Sequence, residues 1–245
     1  MKEVMKMIDK KLELKNMIKN SHYIVFLTGA GISVPSGIPD FRSSSGIYSD
    51  KNSELSPERI LSHSFFMKNP KTFYDFYKNK MIYLDAKPNI AHEMISKIPN
   101  VKAVITQNID GLHQKAKSKN VIELHGSIYQ NHCMKCGKAY SIDYVMNSKD
   151  IPKCSCGGII KPNVILYEEP LNEKTLEDSI YHIEHADLLI VVGTSLLVNP
   201  AAGLVTYFKG SNLVIINKSK TPYDLYAKLI IRDNLENILN HSLLE

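Results

Sequence analysis

One stretch of this chain limits its fold more than any other: a short apolar run followed by closely spaced glycines and prolines. Residues 23–27 read Tyr-Ile-Val-Phe-Leu, and residues 29–42 continue as GAGISVPSGIPDFR. The apolar run is typical of a buried strand. A strand that runs into Gly29-Ala-Gly31 is typical of nucleotide sites, because glycines let the backbone approach a pyrophosphate and the following N–H groups favour negative charge. Val34 replaces the third glycine of that fingerprint, so a tight turn without a ligand is the alternative.

The second half of the stretch is more specific. Pro35, Gly37 and Pro39 exclude a long regular helix, so a loop must carry Asp40, Phe41 and Arg42. A planar guanidinium fork suits phosphate or carboxylate. The structural alternative is a surface ion pair between the acid and the arginine of this loop.

Composition excludes several classes of protein. The 245 residues suffice for one substantial core with a small appended module. The net charge of +5 is spread over mixed-sign sequence, without the dense basic runs that indicate nucleic-acid binding. The chain has neither a secretory signal nor an apolar span of about 18 residues. We therefore expect a cytoplasmic monomer that binds no nucleic acid and no membrane.

Apolar strands that alternate with helices predict an α/β fold. We expect a doubly wound, parallel Rossmann-like sheet with a helical insertion and a small zinc-ribbon module. The expected parts are a Rossmann-like core of residues 1–42, 89–126 and 164–245, a helical insertion of residues 43–88, and a zinc-binding module of residues 127–163. Predicted strands cover 23–27, 101–106, 121–124, 188–192, 213–216 and 228–232, with an extended segment at 164–167. Predicted helices cover 2–20, 89–97 and 173–184, with others starting near residues 200 and 235.

The first predicted helix carries an apolar stripe. Its members are Val4, Met7, Ile8, Leu12, Leu14, Met17 and Ile18. Lysines separate them, so we expect the helix to pack on the body of the protein rather than on a membrane surface.

Small or polar residues follow four of the predicted strands, at 29–33, 107–110, 193–195 and 217. The carboxyl ends of parallel strands meet at one edge, where open α/β sheets bind ligands. The sequence therefore predicts a nucleotide cleft at this edge.

The segments GAGIS and SGIPDFR resemble the cofactor-binding loop of the sirtuins, the NAD-dependent protein-lysine deacylases. TQNIDGLHQKA at 106–116 resembles their nicotinamide pocket, and the resemblance extends over about residues 23–240. It implies that NAD is a consumed co-substrate. The NAD-binding residues implied are Gly29, Ala30, Gly31, Ser33, Val34, Asp40, Phe41, Arg42, Gln107, Asn108, Ile109, Asp110, Gly193, Thr194, Ser195 and Asn217. Without the flanking matches, Asn108 and Asp110 would indicate a simple Asx turn before Gly111.

The resemblance also implies the catalytic residues, His125 and Asn108. A histidine titrates near neutral pH, so it can take a proton from a hydroxyl and return it. In the family the acetyl oxygen attacks C1′ of the nicotinamide ribose as nicotinamide leaves. The histidine of the HG motif then deprotonates the ribose, whose 2′-oxygen attacks the new imidate, and water completes the reaction. The products are lysine, nicotinamide and O-acetyl-ADP-ribose. We expect the other histidines, such as His113 and His132, to have no catalytic role.

The four cysteines all lie within residues 133–156. In a reducing compartment, two close pairs at Cys133/Cys136 and Cys154/Cys156 indicate one structural zinc rather than two disulfides. The second pair is C-x-C where sirtuins more often have C-x-x-C, so its turn must be tighter.

Residues 160–169 resemble the strand with which sirtuins pair the substrate backbone. The implied peptide-binding residues are Val164, Leu166, Tyr167, Leu196 and Val198. Glu168 stands where the family usually has glycine, which changes how the acyl-lysine stem is covered. Sirtuins that remove acidic acyl groups carry a tyrosine and, three residues on, an arginine in the helical insertion. Here Tyr74 matches the tyrosine but Tyr77 replaces the arginine, so the resemblance implies a neutral acyl group.

We therefore expect an NAD-dependent protein-lysine deacetylase that acts on acyl-lysine proteins or peptides. Two alternatives stay open at this point. One is an ADP-ribosyltransferase or NAD hydrolase that uses the same pocket, and the other is a non-catalytic NAD-sensing scaffold.

Overall fold

The computed structural model describes residues 2–41, 43, 46–47 and 55–244. The strands within them are β1 (Ile24–Thr28), β2 (Val101–Thr106), β3 (Val121–Glu123), β4 (Gly126–Cys133), β5 (Ala139–Tyr140), β6 (Ile160–Val164), β7 (Leu188–Val192), β8 (Asn212–Ile216) and β9 (Leu229–Ile231). The α-helices are α1 (Lys2–Asn20), α2 (Pro57–Ile60), α3 (His63–Lys68), α4 (Pro70–Lys80), α5 (Ile90–Lys97), α6 (Leu112–Lys115), α7 (Ile142–Asn147), α8 (Glu173–His185) and α9 (Leu235–Ile238). No helix among these residues is both long and apolar enough to cross a membrane.

Six strands form the main sheet, in the order β3-β2-β1-β7-β8-β9. Every neighbouring pair is parallel, and Phe26 at the centre pairs with Val104 on one side and Ile190 on the other. After β1 the chain forms β2 and β3 on one side of this strand. It then crosses to the other side of β1, where β7, β8 and β9 lie. The predicted doubly wound sheet is therefore confirmed, and its topological switch point, where such sheets bind ligands, lies between β1 and β7.

Helices cover both faces of this sheet, because alternate side chains of each central strand point to opposite faces. Phe26 packs in one apolar cluster with Leu14 of α1 and Met94 of α5. Val25 packs in the other with Ile183 of α8. All five residues of β1 are buried, as expected for a parallel sheet with both faces covered.

A second, smaller antiparallel sheet has the order β5-β4-β6. Its apolar residues join those of α4 in a third cluster, which contains Tyr77, Ile128 and Ile160. We propose that the three predicted parts of the chain correspond to the main sheet with its helices, the α2–α4 segment, and the small sheet with α7.

Several elements differ from their predictions. In α1, Leu14 and Ile18 are buried, but Ile8 and Leu12 are 59% and 56% exposed. Residues 7, 14 and 18 share one face of a helix with 3.6 residues per turn, whereas residues 8 and 12 fall outside it. The helix predicted near residue 200 is a 3-10 helix at Ala202–Tyr207. Of the extended segment predicted at 164–167, Val164 is the last residue of β6, and Tyr167 forms an isolated parallel bridge to Ser62.

Two buried histidines, one on α5 and one on α6, are in contact with each other. His92 is completely buried, and neither of its ring nitrogens has a hydrogen-bond partner among the described residues. Its ring meets that of His113 edge to face at 4.8 Å, and His113 also contacts the Thr28 hydroxyl at 3.0 Å. Burial lowers the pKa of His92 to about 4 and that of His113 well below its ordinary value, and repulsion from His92 lowers the pKa of His113 further.

This pair predicts acid sensitivity of the fold. Because the pKa of His92 is lower in the folded than in the unfolded chain, its contribution to stability is fully present above about pH 6.5 and is lost as the pH falls towards 4. His92 alone is expected to lower the free energy of unfolding by about 2 kcal/mol between pH 7 and pH 5. Urea unfolding at both pH values measures this. The difference between the two pH values should shrink in His92→Leu and persist in the control His22→Leu, which replaces an exposed histidine. A wild-type stability that is equal at both pH values would contradict the prediction.

Candidate active site

The glycine loop after β1 packs directly against the end of β7. The Gly29 N–H donates to the Val192 carbonyl at 3.0 Å, and the Gly31 N–H donates to the Gly193 carbonyl at 2.8 Å. A Cβ on Gly31 would lie 2.8 Å from the Gly193 Cα. Gly193 itself has φ +61°, a conformation that favours glycine. These glycines therefore bring the two strand ends together. That they also let the backbone approach a phosphate stays a prediction.

Three backbone N–H groups at this junction remain available to a ligand. Those of Ala30, Thr194 and Ser195 have no hydrogen-bond partner within the described part of the chain. All three residues line the main cavity, which has a volume of about 740 Å³. Unpaired backbone N–H groups close together at strand ends suit a phosphate group. The donor set at the switch point therefore fits the pyrophosphate of a dinucleotide.

Most of the predicted NAD-binding residues line this one cavity. They are Ala30, Gly31, Ser33, Val34, Asp40, Phe41, Gln107, Asn108, Ile109, Asp110, Gly193, Thr194, Ser195 and Asn217. Gly29 is buried and does not line the cavity, and Arg42 lies outside the described residues.

A polar network joins the glycine loop to the end of β2. The Ser33 hydroxyl donates to Asp110 Oδ2 at 2.6 Å. The Asn108 side-chain amide donates to the Ser33 Oγ at 3.1 Å and to the Gly29 carbonyl at 3.2 Å. Burial raises the pKa of Asp110, while the hydrogen bond from Ser33 opposes that rise. The network fixes three polar side chains in one corner of the cavity, where they can orient an amide and a hydroxyl.

His125 lies between β3 and β4, where the chain passes from the main sheet to the small sheet. Its Nδ1 is 2.9 Å from the Gln107 carbonyl. A carbonyl only accepts, so Nδ1 carries the proton and Nε2 has a free lone pair. Burial lowers the pKa of His125, which keeps the imidazole neutral at neutral pH. His125 also lines the cavity, so it has the tautomer and the position that a general base requires.

Gly126 follows His125 directly and lies against the backbone of β6. Gly126 has φ +75°, and a Cβ there would lie 1.7 Å from the Asn163 carbonyl oxygen. The glycine therefore makes room for the backbone of β6 rather than for a ligand. The His125 carbonyl accepts from the Ile165 N–H at 2.9 Å. This bond fixes the backbone of His125 next to the end of β6.

The loop after β8 forms the opposite end of the cavity. The Asn217 amide donates to the Ser219 carbonyl at 3.0 Å and to its hydroxyl at 3.1 Å. Arg232 donates to the Asn217 carbonyl at 2.8 Å. Lys218, Ser219 and Asp233 also line the cavity and were missed from the sequence. Their position directly after β8 and β9 was a usable signal, since parallel strands end at the same edge.

On the proposed peptide side, Val164, Leu166, Tyr167 and Val198 line the cavity. Leu196 does not, because it is 2% exposed and packs in the core beneath β7. The Tyr167 backbone is held by the link between α2 and α3, since its N–H donates to the Leu61 carbonyl and its carbonyl accepts from the His63 N–H, both at 3.0 Å.

Glu168 has φ +76°, which explains why glycine would suit this position. Its carboxylate accepts from the Ser64 N–H at 2.8 Å and from the Ser64 hydroxyl at 2.9 Å. These contacts lower the pKa of Glu168 and satisfy an N–H in the first turn of α3. Glu168 therefore joins the strand to the helical segment, a role that its sequence position did not indicate.

The four cysteines meet at one point. Their Sγ atoms all lie within 4.8 Å of one another, with Cys133 and Cys156 at 3.5 Å and Cys136 and Cys154 at 3.6 Å. Four thiolates around one zinc at about 2.3 Å would be about 3.8 Å apart. All four cysteines are free of disulfides, so the donor set fits one structural zinc. The tight second turn closes through Gly157, which has φ +82°.

Known proteins resemble this chain over most of its length. The Sir2 family model matches residues 29–200. The NAD-dependent protein deacetylase of Clostridium tetani is 54% identical over 238 residues, which are 95% of this chain and 96% of the relative. The protein of the same name from Clostridium acetobutylicum is 53% identical and covers 96% of this chain and 98% of its own. A solved structure of Sir2 with a p53 peptide and NAD⁺ has a TM-score of 0.83 at 40% identity, covering 93% of this chain and 94% of that one.

Proposed function

This chain belongs to the Sir2 family, and on that premise we propose how its cavity works as the active site of an NAD-dependent protein deacetylase. The observation that carries the proposal is the state of His125. Its Nδ1 is held by the Gln107 carbonyl at 2.9 Å, and its Nε2 is free at the wall of a cavity that also contains the Ser33, Asn108 and Asp110 network. A positioned neutral base beside amide-orienting and phosphate-binding groups fits this reaction.

The chain's own groups have separate tasks. Bound NAD supplies an electrophilic ribose carbon and nicotinamide as the leaving group. The N–H groups of Ala30, Thr194 and Ser195 hold the pyrophosphate. Asp110 and Ser33 orient the carboxamide, with Ile109 and Phe41 beside the ring. Asn108 positions the amide or a water, and His125 accepts a proton from a ribose hydroxyl at Nε2 and later returns it.

The acetylated peptide is proposed to lie along Val164, Leu166 and Tyr167 on one side and Val198 on the other, as an added strand. Support comes from their place in the cavity wall next to His125. The backbone of Tyr167 is already bonded to the link between α2 and α3, which fixes this wall of the cavity beside the peptide. The Tyr167 N–H and carbonyl are used in those bonds, so the peptide would pair with other backbone groups of the wall.

The acyl preference gives a direct test. We expect acetyl-lysine to be processed with a higher kcat/KM than succinyl-lysine, because Tyr77 in the cavity wall offers no charge to a buried carboxylate. The cation of α4 in the wall, Lys80, is exposed, so solvent screens its attraction. Mass spectrometry of matched acetyl and succinyl peptides with the enzyme and NAD measures the ratio. If succinyl is preferred, Lys80→Met identifies whether Lys80 is the reason.

The same assay separates this function from NAD hydrolysis. A deacetylase should release nicotinamide only when the acetylated peptide is present, in equal amount to the deacetylated product. Equal nicotinamide release with and without peptide would establish a hydrolase instead.

A further inference from the structure

One carboxylate in the wall of the main cavity has no counter-ion. Glu168 lines the cavity on the proposed peptide side, and its side chain is exposed. Within the described residues, no lysine, arginine or histidine forms an ion pair with it. The two lysines that line the same cavity, Lys80 and Lys218, are therefore not its partners. An unpaired charge at a binding surface favours a ligand group of the opposite charge.

The neighbouring glutamate shows the contrast. Glu169 accepts from Lys161 Nζ at 3.0 Å and lies 2.7 Å from His63 Nδ1, and the Leu166 N–H donates to it at 2.8 Å. Only 16% of its side chain is exposed. The charge of Glu169 is thus used within the fold, whereas the carboxylate next to it in the chain is left for a ligand.

The Glu168 carboxylate is held in one position. The Ser64 N–H donates to its Oε2 at 2.8 Å, and the Ser64 hydroxyl donates to its Oε1 at 2.9 Å. These bonds lower the pKa of Glu168, so the group is ionised at neutral pH. Each carboxylate oxygen has a second lone pair and can still accept from a ligand. Because the side chain is already ordered, less conformational entropy is lost when a ligand cation binds to it.

The place of Glu168 in the wall indicates which ligand it meets. It directly follows Leu166 and Tyr167, along which the acetylated peptide is proposed to lie. The N–H groups proposed for the pyrophosphate lie at the ends of β1 and β7, on other elements. The acetyl group has to enter the cavity towards His125, whereas the neighbouring side chains of an extended peptide point away from it. An exposed carboxylate at this wall therefore meets one of those neighbouring side chains.

We propose that Glu168 is a specificity determinant that selects peptides with a basic side chain close to the acetyl-lysine. This inference rests on the proposed deacetylase function and narrows its substrates to acetyl-lysines within basic segments of proteins. Arginine suits the position best, because its planar fork can donate to both carboxylate oxygens at once. An acidic side chain at the same place is repelled.

The test uses one acetyl-lysine peptide in which each of the nearest flanking positions is, in turn, arginine, glutamine or glutamate. At one position or more, the wild-type kcat/KM is expected to be highest for arginine and lowest for glutamate. The ratio of arginine to glutamine should be about two- to fivefold, as for an exposed ion pair, and should fall towards one at high salt.

Two variants and a control identify the residue responsible. Glu168→Gln keeps the shape of the side chain and an acceptor for Ser64 but removes the charge, so the ratio should fall to about one. Glu168→Lys should reverse the order, with glutamate preferred to arginine. Glu177→Gln is the matched control, since it removes an exposed carboxylate of α8 outside the cavity, and its ratios should stay those of the wild type. Ratios measured within one variant do not depend on how much of it is folded.

The outcomes separate this inference from the proposed function. Equal kcat/KM values for the three side chains at every position, or an arginine preference that persists in Glu168→Gln, would overturn the inference alone. So would an increase in KM for NAD that is the same with every peptide, since the carboxylate would then serve the cofactor. If the wild-type protein deacetylates none of the peptides with NAD, the proposed function falls, and this inference with it.

Discussion

Replacing His125 with alanine is expected to lower the rate of deacetylation by about two to four orders of magnitude, the usual contribution of a positioned general base. NAD binding and folding should change little, because the phosphate-binding donors we propose are the N–H groups of Ala30, Thr194 and Ser195, which do not involve the imidazole. Product formation by mass spectrometry and NAD binding by calorimetry measure the two effects. His132→Ala is the control, since His132 lies on the small sheet outside this cavity, and its rate should stay near that of the wild type.

The order of steps makes the His125 prediction sharper. We propose that His125 acts after nicotinamide has left, so the first, reversible step should be less affected than the second. Labelled nicotinamide should still exchange into NAD in His125→Ala when the acetylated peptide is present, and its rate should fall far less than that of deacetylation. An equal fall in both rates would place His125 in the first displacement or in NAD positioning. Persistence of both rates would show that His125 has only a structural role.

Loss of the zinc is expected to have an equally large effect, on stability first and on activity as a consequence. Cys133 and Cys154 belong to the same apolar cluster as Tyr74, Tyr77 and Ile160. Structural zinc sites contribute about 10–16 kcal/mol of apparent binding energy in isolated small domains, and this module has few apolar residues to replace it. We therefore expect Cys133→Ser to lose one zinc per chain, to unfold at a markedly lower temperature and to lose deacetylase activity.

Metal analysis, thermal unfolding and a strong chelator applied to the wild-type protein measure these outcomes. Ser155→Ala is the matched control, because Ser155 is exposed between the second pair of cysteines and supplies no thiolate. Its zinc content and Tm should match the wild type. A freshly purified wild-type protein without zinc, or a Cys133→Ser variant that is stable and active, would refute a structural zinc.

The strand ends and the cysteine cluster were predictable from sequence because each depends on local spacing. The apolar runs at β1 and β7 are followed directly by Gly29 and Gly193, and parallel strands place such ends at one edge whatever their loops are. The cysteine pairs likewise need only short turns to meet. The parallel sheet, the glycine loop and the zinc ligand set therefore followed from the order of residues along the chain.

What each residue contacts across the fold was decided by tertiary structure alone. Glu168 caps α3 through Ser64, 104 residues earlier in the chain, and Tyr74 donates to Ile160, 86 residues later. No local period encodes such pairs, because they arise only when separate elements pack together. The same packing places Leu196 in the core instead of the cleft. It also brings the Ile160 carbonyl to the Tyr74 hydroxyl, whereas the Tyr77 hydroxyl has no hydrogen-bond partner within the described residues. The two tyrosines look alike in the sequence, so only the folded structure shows this difference.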